Sequence, residues 1–561
     1  MAYLNQSTIT TKRLRTIILV IPILTLGLII RLFYWQIIRG PELQTKANRQ
    51  YETTTYLKAK RGDILDSEGN VLAGTKNLYN LFVYKPQLEI SSLDLINKIS
   101  AYVTPDKEST NEGDLKSYLL GRLSLDSNWV SLLHYVTPDE KKAIESLKIT
   151  GLGFDDEFVR YYPDASMSAQ TLGFVGQDTA GQEQGYFGLE GFFDRQLKGR
   201  SGKVRTEQDA KGDPILVGDY QFLKSIEGKS IKTTIDRRIQ YLTENLLKEG
   251  ITKYQAIAGN VIILESKTGK VKAMASFPNY DPGKFSEFPN TVYKNPNVAD
   301  LFEPGSIFKV LVMGAGLNEK VVTPDTVCDI CAKPVVIGKY AIKTWDGVYH
   351  PDSTMTDVII HSDNTGMVFV GQRLGKQKFA DYLNLFGFGK KTGIELQDEV
   401  SGDVRKADQF GDIDLATESF GQGIAVTPIQ MVAAVNAIAN KGTYIAPSII
   451  EGDGSNSNSR QVLSPEAAKE MTFIMVQAVD NGEAKWAKPK NMSIAGKTGT
   501  AQIPIEGHYD ATKTIASFVG FFPPDNPEYT MLVTLKEPQT SQWGSETAAP
   551  LWFNIAKQLL L

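Results

Sequence analysis

From Thr16 to Ile30 the chain carries no charge, and after Arg31 the apolar character resumes as Leu32-Phe33-Tyr34-Trp35-Gln36-Ile37-Ile38. As a helix, Ile17 to Ile38 spans about 33 Å at ~1.5 Å per residue, enough to cross a bilayer core of ~30 Å. Arg31 and the aromatic cluster sit near one end, where snorkelling and interfacial packing cost little. Pro22 is tolerated in a membrane helix. A cleaved signal peptide fits less well, because bulky aromatics occupy the place where a small-x-small cleavage site belongs. The basic residues do not fix the orientation: Lys12, Arg13 and Arg15 precede the span, and Arg31, Arg39, Lys46 and Arg49 follow it. No other stretch is long and apolar enough to span. A single retained anchor is expected to hold the remainder on one face of a membrane.

That remainder is large. The 561 residues call for two or three domains at about 100–200 residues each. Lys+Arg 60 against Asp+Glu 64 leaves a net charge of -4, so no surface for nucleic acid is advertised. Two Cys and four His exclude a disulfide scaffold and leave little material for a metal cage, so neither a metal nor a cofactor is expected.

From about residue 40 to 230 the sequence is polar and mixed, with short strand-like runs such as Tyr79–Tyr84 between helical stretches. The texture changes near Lys232-Thr233-Thr234-Ile235-Asp236. Gly259–Leu264 and Val271–Ser276 read as two strands joined through Ser266-Lys267-Thr268-Gly269, a hairpin. A helix-rich middle follows, in which Ile429–Asn440 is apolar enough to be buried. Ser493–Ile503, Ile515–Phe522 and Tyr529–Leu535 are again strand-like, and a short amphipathic helix follows them. Strands at both ends of a segment with helices between predict an α+β fold whose sheet joins distant parts of the chain.

Pro304-Gly305-Ser306 ahead of Ile307, Phe308, Val310, Leu311 and Met313 reads as a helix start. Ser306 then lies in the first turn and Lys309 on the same face. A serine hydroxyl needs an adjoining base, and a lysine with a depressed pKa serves as one. Helix N-terminal amides favour negative charge developing beside Ser306. The bland reading is a capping serine beside a solvated lysine, and S-x-x-K occurs once in the chain. Ser362-Asp363-Asn364 adds a hydroxyl and an amide two residues apart, able to relay a proton and hold a substrate amide.

Lys-Thr-Gly occurs three times. Lys267-Thr268-Gly269 falls in the hairpin turn and Lys391-Thr392-Gly393 in a loop after Gly387-Phe388-Gly389. Lys497-Thr498-Gly499 lies in a strand, where an ammonium, a hydroxyl and edge amides can line a cleft and meet an extended substrate. Gly499 permits close approach to the backbone. A phosphate loop fails at Asn491, where that motif requires glycine. His134, His350, His361 and His508 lack a nucleophile-elbow partner. Cys328 and Cys331 suit an optional local disulfide better than redox catalysis.

S-x-x-K, S-D-N and K-T-G in this order form the set known from penicillin-binding proteins and class A β-lactamases. Further segments stand in family order: Arg61-Gly62-Asp63 through Asp66 with Leu72-Ala73, Arg160-Tyr161-Tyr162-Pro163, Gly188-Leu189-Glu190 with Asp194, Thr234-Ile235-Asp236 with Gln240, and Phe420-Gly421-Gln422-Gly423 with Val426-Thr427-Pro428 and Gln430. Over nearly its full length the chain resembles the class B penicillin-binding proteins, the membrane-anchored peptidoglycan transpeptidases. Ser67 departs from the arginine often found there, which loosens the pedestal match alone.

The resemblance implies an α+β architecture: a short cytoplasmic tail (1–15), a transmembrane anchor (16–38), an elongated, dimerisation-like pedestal (39–230), and a transpeptidase domain (231–561) with a central antiparallel sheet. It implies Ser306 as acyl-enzyme nucleophile and Lys309 as its base. Ser362 and Asn364 relay protons and bind substrate, and Lys497, Thr498 and Gly499 hold the substrate carboxylate and backbone. The amides of Ser306 and Thr500 form the oxyanion hole. A stem peptide ending in D-Ala-D-Ala acylates Ser306, an amine of a neighbouring stem attacks, and β-lactams trap the serine. The implied location is the inner or plasma membrane with the catalytic domain outside the cytoplasm, beside a partner glycosyltransferase. The alternatives are a D,D-carboxypeptidase or β-lactamase-type hydrolase and a catalytically silent scaffold. No E-x-x-x-N follows Ser362 to activate water, and all three motifs are intact. The motif forms and length lean toward the division type over the elongation type.

Overall fold

The computed structural model describes residues 4–103, 112–207, 221–452, 459–505 and 508–560. The chain divides into two compact units, Met1–Ala59 with Gly199–Glu227, and Lys60–Lys198 with Gly228–Leu561. In the first unit one helix runs Leu4–Phe33 and widens into a five-residue turn, Tyr34–Ile38. Arg13–Ile38 has a mean hydropathy of 2.5 and its apolar side chains are exposed, Leu24 by 62%. Among the described residues it is the one helix long and apolar enough to cross a membrane. Arg39 closes it, stacked over the Trp35 ring at 5.3 Å and paired with Glu42 at 2.7 Å. Glu52–Leu57 then pairs antiparallel with Gly202–Glu207, which pairs with Gln221–Leu223.

In the second unit, Val71–Tyr84 forms a long strand flanked by Trp129–Val136 and Leu152–Tyr161, both antiparallel. The helices Ser92–Ser100 and Glu112–Leu123 cover it, and Leu81, Leu95, Ile99, Leu119 and Leu132 make a small core. Three of the sequence blocks converge nearby in a buried ion-pair knot. Glu190 is fully buried and accepts from Arg61 Nε at 2.7 Å and from Arg160 Nε at 2.6 Å. Arg61 also reaches Asp194 at 2.7 Å, and Arg160 binds the Gly62 carbonyl at 2.8 Å. Burying these charges is tolerable only because each finds partners.

The rest of this unit is a five-stranded antiparallel sheet between helical layers. In chain order its elements are α1 (Arg237–Tyr254), β1 (Ala258–Glu265), β2 (Val271–Phe277), α2 (Lys309–Asn318), α3 (Met355–Ile360), α4 (Asn364–Leu385), α5 (Pro428–Ala439), α6 (Pro465–Asn481), β3 (Ala495–Ile505), β4 (His508–Phe522), β5 (Tyr529–Lys536) and α7 (Ala548–Leu559). The sheet order is β2-β1-β5-β4-β3, so the early hairpin joins the late strands through β1 and β5. Alternate residues face opposite layers. Phe518, Val533 and Leu535 pack under α1 and α7 with Trp552, while Val519, Phe521 and Leu532 face the helical lobe. The expected hairpin is present with Val261 opposite Ala275, its turn closed by Gly269 at φ +70°.

Local chemistry explains two further blocks. Asp236 caps α1, accepting from the amides of Arg238 at 2.9 Å and Ile239 at 3.1 Å. One turn on, the Gln240 amide clamps the backbone of β2 at Met274, donating at 2.9 Å and accepting at 2.8 Å. Thr427 and Gln430 form a capping box around Pro428 at the head of α5, and every residue of α5 is buried.

Candidate active site

Gly305–Phe308 forms a tight three-residue-per-turn helix that passes into α2 at Lys309. That pitch stacks Ser306 and Lys309 on one side. α2 is buried from Lys309 to Leu317, so its first side chain enters an apolar interior while Ser306 stays partly exposed. The turn is held from behind by the Phe420-Gly421-Gln422-Gly423 segment. Gly305 N donates to the Gly421 carbonyl at 3.0 Å, and Gly421 stands at φ +83° with its Cα against the Gly305 backbone. A side chain there would collide with the nucleophile's own turn.

Ser362 and Asp363 lie between α3 and α4, and Asn364 opens α4. Asp363 caps α4, accepting from Thr365 N and the Thr365 hydroxyl, each at 2.7 Å. With Ser362 at φ +57° and its neighbour spent on the cap, the outer two residues turn to Lys309. Lys309 Nζ donates to the Ser362 carbonyl at 2.6 Å and to Asn364 Oδ1 at 2.8 Å, and lies 3.3 Å from Ser362 Oγ. Its short bonds thus go to these two residues rather than to Ser306.

Lys497 is 3% exposed on β3, with Nζ 3.2 Å from both the carbonyl and the hydroxyl of Thr498. Burial holds the Lys309 ammonium well below the usual lysine range, and the like charge of Lys497 lowers it further, against the opposing pull of Asp363 and Glu483. Burial also lowers Lys497. The two lysines therefore lie under the floor of a cleft of about 280 Å³, lined by Ser306, Asn364, Thr500, Gln422, Trp345 and Trp543. Gly499 packs against the turn of Ile307, and the Thr500 hydroxyl accepts from Gly544 N at 2.9 Å.

The structure brings all eight residues singled out from the sequence to this one place. The other two K-T-G copies are structural: Thr392 spends its amide and hydroxyl on Glu399 at 2.5 and 2.6 Å, and Thr268 bonds Glu265. His134 lies between Ser131 at 3.2 Å and Glu157 at 3.1 Å, but the Ser131 hydroxyl donates to Asn80 at 2.6 Å and the residue is buried, so no triad is formed. His350 and His361 stack at 4.1 Å, and His508 has a side chain outside the described residues. Cys328 and Cys331 are joined in a disulfide. Three features escaped the sequence reading. Asp363 as a helix cap was within reach, since it directly precedes a helix. Gly421 behind Gly305, and the Trp345–Trp543 lip, carry no local signal.

The family profile described as "Penicillin binding protein transpeptidase domain" matches residues 259–560. That described as "Penicillin-binding Protein dimerisation domain" matches residues 56–233. The chain is a class B penicillin-binding protein. It is 31% identical over 564 residues to stage V sporulation protein D of Bacillus subtilis, covering 98% of this chain and 85% of that protein. It is 29% identical to peptidoglycan D,D-transpeptidase FtsI of Buchnera aphidicola subsp. Baizongia pistaciae, covering 97% of this chain and 94% of that one. Penicillin binding protein 2X from Streptococcus thermophilus superposes with a TM-score of 0.78 at 26% identity, covering 91% of this chain and 80% of that structure. This class B penicillin-binding protein is a serine D,D-transpeptidase with one apolar N-terminal helix suited to anchor it.

Proposed function

We propose that Ser306 is the acyl-enzyme nucleophile for stem peptides ending in D-Ala-D-Ala and the residue that β-lactams acylate. The observation that carries this is Lys309: buried, depressed in pKa, and hydrogen-bonded to Ser362 and Asn364 one turn from the serine. A neutral amine has two N–H bonds, and the carbonyl oxygens of Ser362 and Asn364 take both. Its lone pair is then free to accept the Ser306 proton. Ser306 Oγ attacks the penultimate D-Ala carbonyl, the amides of Ser306 and Thr500 hold the oxyanion, and the C–N bond breaks. The leaving amine takes the proton back through Lys309 and Ser362. An amine of a second stem then attacks the ester and Ser306 regains its proton. Lys497, Thr498 and Gly499 receive the substrate carboxylate and backbone.

The same reading assigns 1–15 to the cytoplasm, 16–38 to a single span of the inner or plasma membrane, 39–230 to a pedestal, and 231–561 to the transpeptidase domain outside the cytoplasm. The spans of the two family profiles support the domain limits. A glycosyltransferase of the cell-wall machinery is the expected partner, in division ahead of elongation, with an FtsI among the relatives. Intact mass after incubation with a fluorescent penicillin tests the site. A stable one-to-one adduct in wild type, lost in Ser306→Ala, supports it. Rapid drug hydrolysis points to a β-lactamase, and no adduct to a silent scaffold.

A further inference from the structure

The segment Phe420–Val426 holds the nucleophile turn along one edge and is itself held along the other. On the first edge Gly305 N donates to the Gly421 carbonyl at 3.0 Å, and Phe302 and Val426 exchange two amide–carbonyl bonds, each 3.0 Å. The Gly423 amide meets the carboxylate of Glu303, which stands three residues before Ser306. Gln422, between these two glycines, lines the catalytic cleft. On the second edge Asp403 N donates to the Ala425 carbonyl at 2.9 Å, and Arg405 Nη1 donates to the Gly423 carbonyl at 2.8 Å. The same Nη1 is bonded to Oε1 of Glu418, the last residue of the helix Asp412–Glu418. The Glu418 carbonyl accepts from Gly421 N at 3.0 Å. Glu418 thus meets the segment twice, once through its own backbone and once through Arg405.

Packing alone does not call for a carboxylate here. Glu418 is fully buried, and its Oε2 has no hydrogen-bond partner among the described residues. Arg405 faces it with a positive charge, and Asp414 and Asp403 face it with negative ones. Asp414 also takes Arg405 Nη2 at 3.5 Å. Burying a carboxyl against one cation costs free energy that an apolar side chain of the same size would not. We infer that Arg405 and Glu418 are a positioning pair for the transpeptidase reaction, setting Ser306 for attack through Gly423 and Gly421. The inference rests on the proposed role of Ser306 as nucleophile. An ionised Glu418 holds the guanidinium by a charge-assisted bond, and the guanidinium holds the Gly423 carbonyl; a neutral Glu418 holds it more weakly. Burial pushes the Glu418 carboxyl up to about 7, against the pull of Arg405, and the two aspartates add to the rise. As pH falls through that value Glu418 takes up a proton, Arg405 loosens, and the nucleophile turn loses its outer support.

The test uses the full-length protein and stopped-flow acylation by a fluorescent penicillin, which separates initial binding from the acylation rate constant k2. Glu418→Gln keeps the shape of the side chain and fixes its neutral form. The Lys309 amine shapes both profiles alike, so the ratio of k2 in the variant to k2 in wild type cancels it. That ratio is expected to be about one at about pH 5.5 and about one-tenth at about pH 8.5, the change centred near pH 7 and the loss lying in k2 rather than in initial binding. A contact that serves stability alone leaves the ratio near one throughout, or lowers it equally at every pH. Either result overturns the inference, while penicillin labelling of wild-type Ser306 leaves the cleft reading standing. No labelling of wild-type Ser306 overturns both. Should Glu418→Gln fail to fold, Arg405→Gln reads the same contact from a side chain that is 39% exposed. A k2 about tenfold lower at about pH 8.5 with initial binding unaltered supports the inference, and an unchanged k2 overturns it.

Discussion

Trp345 meets Trp543 across the mouth of the catalytic cleft, ring centroids 4.9 Å apart and planes at 62°. Each ring belongs to a different wall. Trp345 Nε1 donates to the His361 carbonyl at 3.2 Å, and Asn364 Nδ2 donates to Lys343 in the same loop at 3.0 Å, so this loop is tied to the S-D-N segment. Trp543 precedes Gly544, whose amide is bonded to Thr500 on the K-T-G strand. The edge-on contact therefore links the two substrate-binding walls above Ser306.

Aromatic pairs of this geometry contribute about 0.5–1.5 kcal/mol beyond the area they bury. Trp345→Ala and Trp543→Ala are each expected to slow penicillin acylation about three- to tenfold. Because the rings act through one contact, the double variant should be slower by less than the product of the two effects. Acylation rates from stopped-flow fluorescence close the cycle, and strict multiplicativity would show that the contact is idle.

Acylation should climb with pH through a limb set by Lys309, since only the neutral amine accepts the Ser306 proton. That limb lies well below the usual lysine value of 10.5, because burial and the Lys497 charge both lower it. Lys497→Met removes a like charge and moves the limb to higher pH. Asp363→Asn removes an opposite charge, keeps a competent helix cap, and moves it lower. The pH profile of penicillin acylation in the two variants reads both shifts. Movement in the same direction would exclude Lys309 as the group that titrates.

Gly421→Ala tests the support behind the nucleophile. Gly421 occupies the left-handed region at φ +83° and packs directly on the Gly305 backbone. An alanine there is strained and displaces the Ser306 turn, and a displacement of about 1 Å costs on the order of 100-fold in rate. The expected outcome is acylation slowed about 100-fold with the secondary structure intact by circular dichroism. Wild-type acylation would show that the turn adjusts freely.

The sequence made the sheet legible because its strands are apolar runs flanked by turn chemistry, as at Val261 and Val271 on either side of Gly269. S-x-x-K and K-T-G were legible because one local element fixes each, a helix start at Ser306 and a strand at Lys497, whereas S-D-N was visible only as a hydroxyl and an amide two residues apart. What escaped was made by tertiary contact. Nothing near Trp345 announces Trp543, almost 200 residues away, and the glycine at 421 is needed only because Gly305 folds against it. The pedestal blocks were visible as motifs without a cause, which is the Glu190 knot. The choice among three K-T-G copies rested on secondary structure, and Glu399 shows why the loop copy is otherwise engaged.

Glu190→Ala gives that cause a number. Glu190 is fully buried between Arg61 and Arg160, whose side chains are 5% and 7% exposed. Removing its carboxylate leaves two buried guanidinium groups, with Asp194, the Thr75 hydroxyl and carbonyl oxygens as their remaining partners. Breaking a buried pair by deleting one member costs about 3–5 kcal/mol. The melting temperature should fall by several degrees, read by scanning calorimetry in detergent. Glu190→Gln keeps the shape and one acceptor and should lose less. The knot touches none of the catalytic motifs, so penicillin acylation per folded molecule is expected to hold within about twofold at 20 °C. A large loss of acylation in fully folded Glu190→Gln would instead make the knot part of what positions the cleft.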